Sequence, residues 1–149
     1  MTIDESACRL GGLVWTERRL FELLGGWVPT TAEPAAKVAF AEVSRRHGDH
    51  AVALLGLLPD TRDHRPEALV RPVDGAEAAI AAAGEAVGTA ARLGALGDGV
   101  TAAHLGALEG YLADGAAVRD RPGMRIVAAV LAEDRAGFDE LRALGDRVG

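Results

Sequence analysis

The stretch Glu33–Pro59, EPAAKVAFAEVSRRHGDHAVALLGLLP, decides the fold class. Pro34 is tolerated in the first turn of a helix, where the missing N–H has no partner to lose, and Pro59 stops one. Between them Ala36, Phe40, Val43, Leu54 and Leu57 recur at three- and four-residue intervals, the period of one helix face. The same series, carried through its middle, lands on His47 and His50. This segment, B, predicts a long helix reaching to about Leu58, with two imidazoles set into its buried face.

Working outward, three more segments carry the helical period. Segment A runs from about Asp4 to Gly25-Gly26, with Leu10, Leu13, Leu20 and Leu24 as its stripe and Val14 and Phe21 widening it. The glycine pair and Pro29 are expected to stop it. Segment C runs from about Thr89 to Gly115 and carries Leu93, Leu96, Val100, Leu108, Tyr111 and Leu112. Its glycines at 94, 97, 99, 106 and 110 weaken it by roughly 1 kcal/mol each relative to Ala, and are expected to permit close helix contact. Segment D follows the loop Val118–Pro122 and runs to about Gly145, with Val127, Val130, Leu131, Phe138, Leu141 and Leu144 as its stripe. Residues 59–75, with three prolines among charges, read as a loop, and the Ala-rich 76–86 as a short helix. No repeat or linker divides the chain, so residues 1–149 are expected to form one domain. Two helices with a short turn, a long connection, then two more helices make an all-α, ferritin-like four-helix bundle. The long crossover joins the second and third main helices and makes B parallel to C.

Composition agrees with this reading. Of 149 residues, 49% are hydrophobic and 26% charged, with Ala the commonest at 30 and aromatics at only 4%, a helix-favouring balance that can fill a core. A net charge of -6 argues against binding to nucleic acid or anionic membranes. The longest apolar run, Ile126 to Ala132, is far short of the ~20 residues of a spanning helix. The acidic N-terminus has no apolar signal stretch, so a cytoplasmic location is expected. The lone Cys8 excludes a disulfide within the chain and a multi-cysteine zinc site. Gly11-Gly12 and Gly25-Gly26 lack the preceding strand that a phosphate loop needs. Arginines in the loop 62–71 are offset by acids and read as solvated. Trp15 and Trp27 are expected at bundle ends or an interface. With the small residues of segment C they predict a homodimer.

Each stripe is broken near its middle by a residue that can carry charge. Glu17 lies on the apolar face of A, His47 and His50 on that of B, Asp134 on that of D beside Glu133, and His104 on or beside that of C. Burying a carboxylate costs several kcal/mol unless it is paired or binds a metal. Counted from the bundle end where A meets B, His47, His104 and Asp134 fall at one level, with Glu17 roughly 7 Å away. Three uses fit such a cluster. It can hold iron or manganese on Glu17, His47, His50, His104 and Asp134. It can be a satisfied polar network, with Glu17 paired to Arg45 or Arg46. Or it can be a pocket in which Glu17, His47, Tyr111 and Asp134 contact a small organic ligand.

The run Trp15 to Pro29, WTERRLFELLGGWVP, followed by Glu33-Pro34, by Ser44 to Ala51, SRRHGDHA, and by Leu58-Pro59, resembles uncharacterised bacterial ferritin-like proteins of actinobacterial type. Asp120 to Leu141 is similar to their last helix. The wider superfamily includes iron-storage proteins, di-iron oxygenases and tRNA hydroxylases. The resemblance makes Glu17 the counterpart of the first-helix carboxylate and His47 that of the second-helix histidine. It departs from the di-iron pattern at Ser44, where a Glu is expected, and at Gly137, where a His is expected. The implied function is a bundle with a degenerate metal site that binds a small molecule or protein partner rather than storing iron. The alternative is an iron- or manganese-dependent oxidoreductase or oxygenase with a reduced ligand set.

Overall fold

A computed structural model describes residues 1–115 and 121–148. The elements are α1 (Ile3–Trp27), a 3₁₀ turn (Val28–Thr30), α2 (Pro34–Leu55), α3 (Pro66–Leu69), α4 (Ala76–Gly84), α5 (Thr89–Ala95), a π-helical turn (Leu96–Val100), α6 (Thr101–Gly115) and α7 (Arg121–Val148). No strand occurs among the described residues, and the all-α reading holds. The expected loop Val118–Pro122 lies outside the described residues except for Arg121 and Pro122, which already belong to α7.

Helix α1 opens on a capping box. Thr2 accepts a hydrogen bond from the Glu5 amide at 3.1 Å, and the Thr2 amide donates to the Glu5 carboxylate at 2.6 Å. The helix does not stop at Gly25-Gly26 as expected but continues to Trp27. Its last carbonyls have partners from elsewhere. Thr31 donates to the Trp27 carbonyl at 2.6 Å, and the buried Arg92 guanidinium reaches the Trp27 and Thr30 carbonyls at 3.4 and 3.3 Å. These contacts satisfy carbonyls at the end of α1 and of the 3₁₀ turn, one to four residues past the glycine pair. Segment C is likewise not one uniform helix. It changes pitch through the π-helical turn, where Gly99 leaves helical geometry.

The main helices contact one another in a ring: α1 with α2, α2 with α7, α7 with α6, and α6 with α1. The apolar interior falls into two clusters. One joins Leu20 and Leu24 of α1, Phe40 and Val43 of α2, Val100, and Phe138, Leu141 and Leu144 of α7. The other joins Leu10 and Leu13 of α1, Leu54 of α2, Leu108 and Tyr111 of α6, and Val127, Val130 and Leu131 of α7. The late part of α1 thus meets the early part of α2, and the late part of α6 meets the early part of α7. Both pairs are antiparallel, and α2 and α6 run the same way.

The connection from α2 to α5 must therefore travel the length of the protein. Leu69 packs on the second cluster and Ala83 belongs to the first. On the way the chain lies against α1. A Cβ at Gly11 would run into the Leu69 carbonyl, and one at Gly12 would sit 2.7 Å from Val73 Cγ1. Glu67 fixes α3 by accepting two hydrogen bonds from Arg18 at 2.8 Å, so part of the loop read as solvated is docked. Close contact is thus made by glycines of α1. In segment C the expected close approach is made at Gly110, where a would-be Cβ lies 3.3 Å from Arg9 Nη2, while Gly94, Gly97, Gly99 and Gly106 have nothing within 4 Å. Trp15 and Trp27 are 8% and 4% exposed, buried in the chain's own interior, with Trp27 at the end of α1 against Phe40. One further expectation is corrected. Phe21 is 47% exposed and lies over Gly48 at the seam with α2, outside the buried stripe.

Candidate metal centre

Between the two apolar clusters lies a polar layer. Glu17 comes from α1, His47 and His50 from α2, His104 from α6 and Asp134 from α7. None is more than 5% exposed. Each replaces an apolar residue in a periodic stripe, so helix packing alone brings all five to the interior. His47 and His50 stand one turn apart on the same face of α2.

The five side chains are in direct contact. Nδ1 of His47 lies 2.6 Å from Oε2 of Glu17 and 3.4 Å from Oδ1 of Asp134. Nδ1 of His50 lies 3.0 Å from the same Asp134 oxygen and 3.7 Å from the same Glu17 oxygen. Nε2 of His104 sits across the other two carboxylate oxygens, 2.8 Å from Oε1 of Glu17 and 3.2 Å from Oδ2 of Asp134. Without an ion, a ring nitrogen this close to a carboxylate oxygen carries the proton and donates it. Nε2 of His50 is 2.7 Å from Glu133, whose side chain is 60% exposed, so this imidazole links the layer to the surface.

The charges hold one another in place. Burial opposes ionisation of Glu17, yet hydrogen bonds from His104, His47 and His50 outweigh it and hold the carboxyl well below its usual range. Burial also opposes charge on His50, but Asp134, Glu17 and Glu133 raise it to about 11. His104 is raised against burial by Asp134 and Glu17 to about 9. Among the described residues, two buried polar atoms are left without a well-directed hydrogen bond: Nε2 of His47, and Oδ2 of Asp134, which has only the ion-pair contact with Nε2 of His104 at 3.2 Å.

Several sequence expectations are revised here. Glu17 lies at the level of His47, not 7 Å away in height, because α1 and the 3₁₀ turn together carry the helical path from the glycine pair on to Thr30. Its partners are imidazoles. Arg45 pairs with Asp49 at 2.9 Å and Arg46 with Glu140 at 3.2 Å, so neither reaches Glu17. Tyr111 is not brought to the cluster; it lies in the second apolar cluster, with its hydroxyl 2.8 Å from Ser6 Oγ. The two departures from the di-iron pattern are packing positions. Ser44 donates to the Phe21 carbonyl at 2.7 Å, and a Cβ on Gly137 would already meet Val43 at 3.4 Å. Glu133 gives no signal as a site residue in the sequence, because an exposed carboxylate breaks no apolar period.

Comparison of the chain with protein-family models, curated proteins and solved structures finds no match. The cluster is therefore read from its own geometry. One ligand atom from each of Glu17, His47, His50 and Asp134 can be chosen so that all four lie within 4.8 Å of one another. The four contacts between the two Nδ1 atoms and the oxygens Oε2 and Oδ1 span 2.6 to 3.7 Å. Donors bound to one ion at ~2.0–2.2 Å have edges of this order. Mixed imidazole and carboxylate donors suit iron, manganese or zinc. Nε2 of His47 has no hydrogen-bond partner among the described residues, so the contacts within the layer do not use every polar atom it buries.

Proposed function

We propose that this chain is a ferritin-like four-helix bundle that binds a single iron or manganese ion in its polar layer and serves as a metal-dependent oxidoreductase. The convergence of the four donor atoms from α1, α2 and α7 carries the reading. The antiparallel pairs, the parallel α2 and α6, and the long crossover between them support the ferritin-like assignment. His47, His50, Glu17 and Asp134 would hold the ion. When bound, it supplies redox or Lewis-acid chemistry at a position bordered by His104. Glu133 orients His50 from outside, as carboxylates do for metal-bound histidines. With Ser44 and Gly137 in place of a second ligand set, one ion fits better than two.

The competing reading is a metal-free bundle that binds a small molecule or partner. It draws support from the hydrogen bonds and ion pairs that the five side chains already make with one another. Elemental analysis after growth with iron and manganese separates the two. The metal reading expects about one ion per chain, absent in His47→Ala and Asp134→Ala. Iron, manganese and zinc all at background, with a melting temperature unmoved by chelator, would overturn it.

A further inference from the structure

A cleft of about 170 Å³ opens between α1, the crossover and α6. Val73, which is 51% exposed, and Ile80, Ala103 and Ala107 line it together with the buried His104. Its walls are almost wholly apolar. Thr16 also lines it, but the Thr16 hydroxyl already donates to the Gly12 carbonyl at 3.1 Å. Arg9 stands at the cleft and is held by Asp114 at 2.7 Å, so its charge is compensated. His104 directs Nε2 into the polar layer, while its Nδ1 makes no hydrogen bond among the described residues. Nor is Nδ1 among the atoms shut away from solvent without a partner.

We propose that this cleft binds a small neutral molecule, one aromatic ring or a compact alkyl group with a single polar atom, the polar atom meeting Nδ1 of His104. Size sets the limit: a cavity of roughly 150 Å³ lined by apolar side chains takes up benzene. The space is too small for a partner's helix, which is ~10 Å across with its side chains. Apolar walls disfavour a charged ligand, which would lose hydration there, and the charges of Arg9 and His104 are already matched by Asp114 and by Glu17 and Asp134. The ligand's role as substrate rests on the metal reading above; its binding does not, since none of the four residues proposed to hold the ion lines the cleft.

The probe is p-cresol, titrated into metal-stripped protein by calorimetry and ligand-observed NMR. Saturable binding with one site is expected. Ala103→Leu and Ala107→Leu should each weaken it by about tenfold or more by filling the cleft, while keeping helix propensity and melting temperature. Toluene, without the hydroxyl, and benzoate, with a charge, should both bind more weakly. Absence of saturable binding, an affinity indifferent to both leucines, or equal binding of benzoate would overturn the assignment. So would a wild-type dimer in light scattering that the leucines disperse, because a second copy would then cover the cleft. Metal content is measured separately, so failure of either proposal shows independently of the other.

Discussion

Glu17 and His47, thirty residues apart and on antiparallel helices, meet at 2.6 Å with both side chains fully buried. Glu17 also receives His104 at 2.8 Å, so one carboxylate joins three helices. Removing it takes from His47 its closest hydrogen-bond partner and from His104 one of its two carboxylates. Glu17→Ala is expected to destabilise the metal-free protein by roughly 3 kcal/mol or more, the usual cost of breaking a buried ion pair. Because the carboxyl is held ionised, Glu17→Gln should also be costly, although it keeps the shape. Urea midpoints of both variants check this, and a wild-type midpoint for Glu17→Gln would show that the carboxyl is neutral.

The pH profile of the metal-free protein has a definite sign. His50 and His104 are raised from 6.5 to about 11 and about 9 by folding. Their contribution is complete below 6.5 and is lost as pH rises through those values. Glu17 is lowered from 4.5, so its contribution is complete above 4.5 and is lost as pH falls through the folded value. Stability should therefore be greatest between about 4.5 and 6.5 and decline on either side. Thermal melts in chelator from acid to alkaline pH measure it. A melting temperature unchanged from neutral pH to the range of His50 would contradict the cluster's electrostatics.

Glu133 lies outside the apolar interior but touches His50 at 2.7 Å. Replacing it removes no core contact, so Glu133→Gln should change stability by less than about 0.5 kcal/mol. Its effect on metal affinity should be larger, a loss of roughly tenfold or more, because it orients a ligating imidazole. Competition with a chelator of known affinity reads this directly; an affinity equal to wild type would remove Glu133 from the site.

Glycines of the two layers around the cleft should respond in opposite senses. Gly11→Ala drives a methyl group into the Leu69 carbonyl and should cost about 1–3 kcal/mol by displacing the crossover. Gly106→Ala meets nothing within 4 Å on an exposed helix face and should stabilise by about 0.4–1 kcal/mol. Limited proteolysis in the 59–75 segment should accelerate in the first variant only.

The helices were legible because a polar residue inside an apolar period is a visible break. Glu17, His47, His50, His104 and Asp134 were all found that way, and all five meet in the structure. What escaped detection depends on distant partners. The helix ends one residue past the glycine pair, where Arg92, far along the chain, serves the carbonyls of Trp27 and Thr30. Gly11 and Gly12 carry no periodic signal and are explained by residues of the crossover. Tyr111 sits on the same stripe as His104 but two turns further along, too far for its hydroxyl to join the layer. The cleft is assembled from three separate elements, so no single window of sequence contains it.

The polar layer between two apolar clusters also acts as a vernier for the bundle. A slip of any main helix by one turn, ~5.4 Å, would carry an imidazole or carboxylate into hydrocarbon and set an aliphatic side chain against the remaining charges. The two clusters alone, both filled with leucine and valine, would tolerate such a slip far better. Replacing all five residues with apolar ones of similar volume should therefore leave a protein at least as stable, since buried ion clusters are often no more stabilising than a packed core. It should no longer hold one register, and its NMR spectrum should broaden where the wild type gives one sharp set of signals. A sharp single set in that variant would assign the choice of register to the aliphatic packing instead.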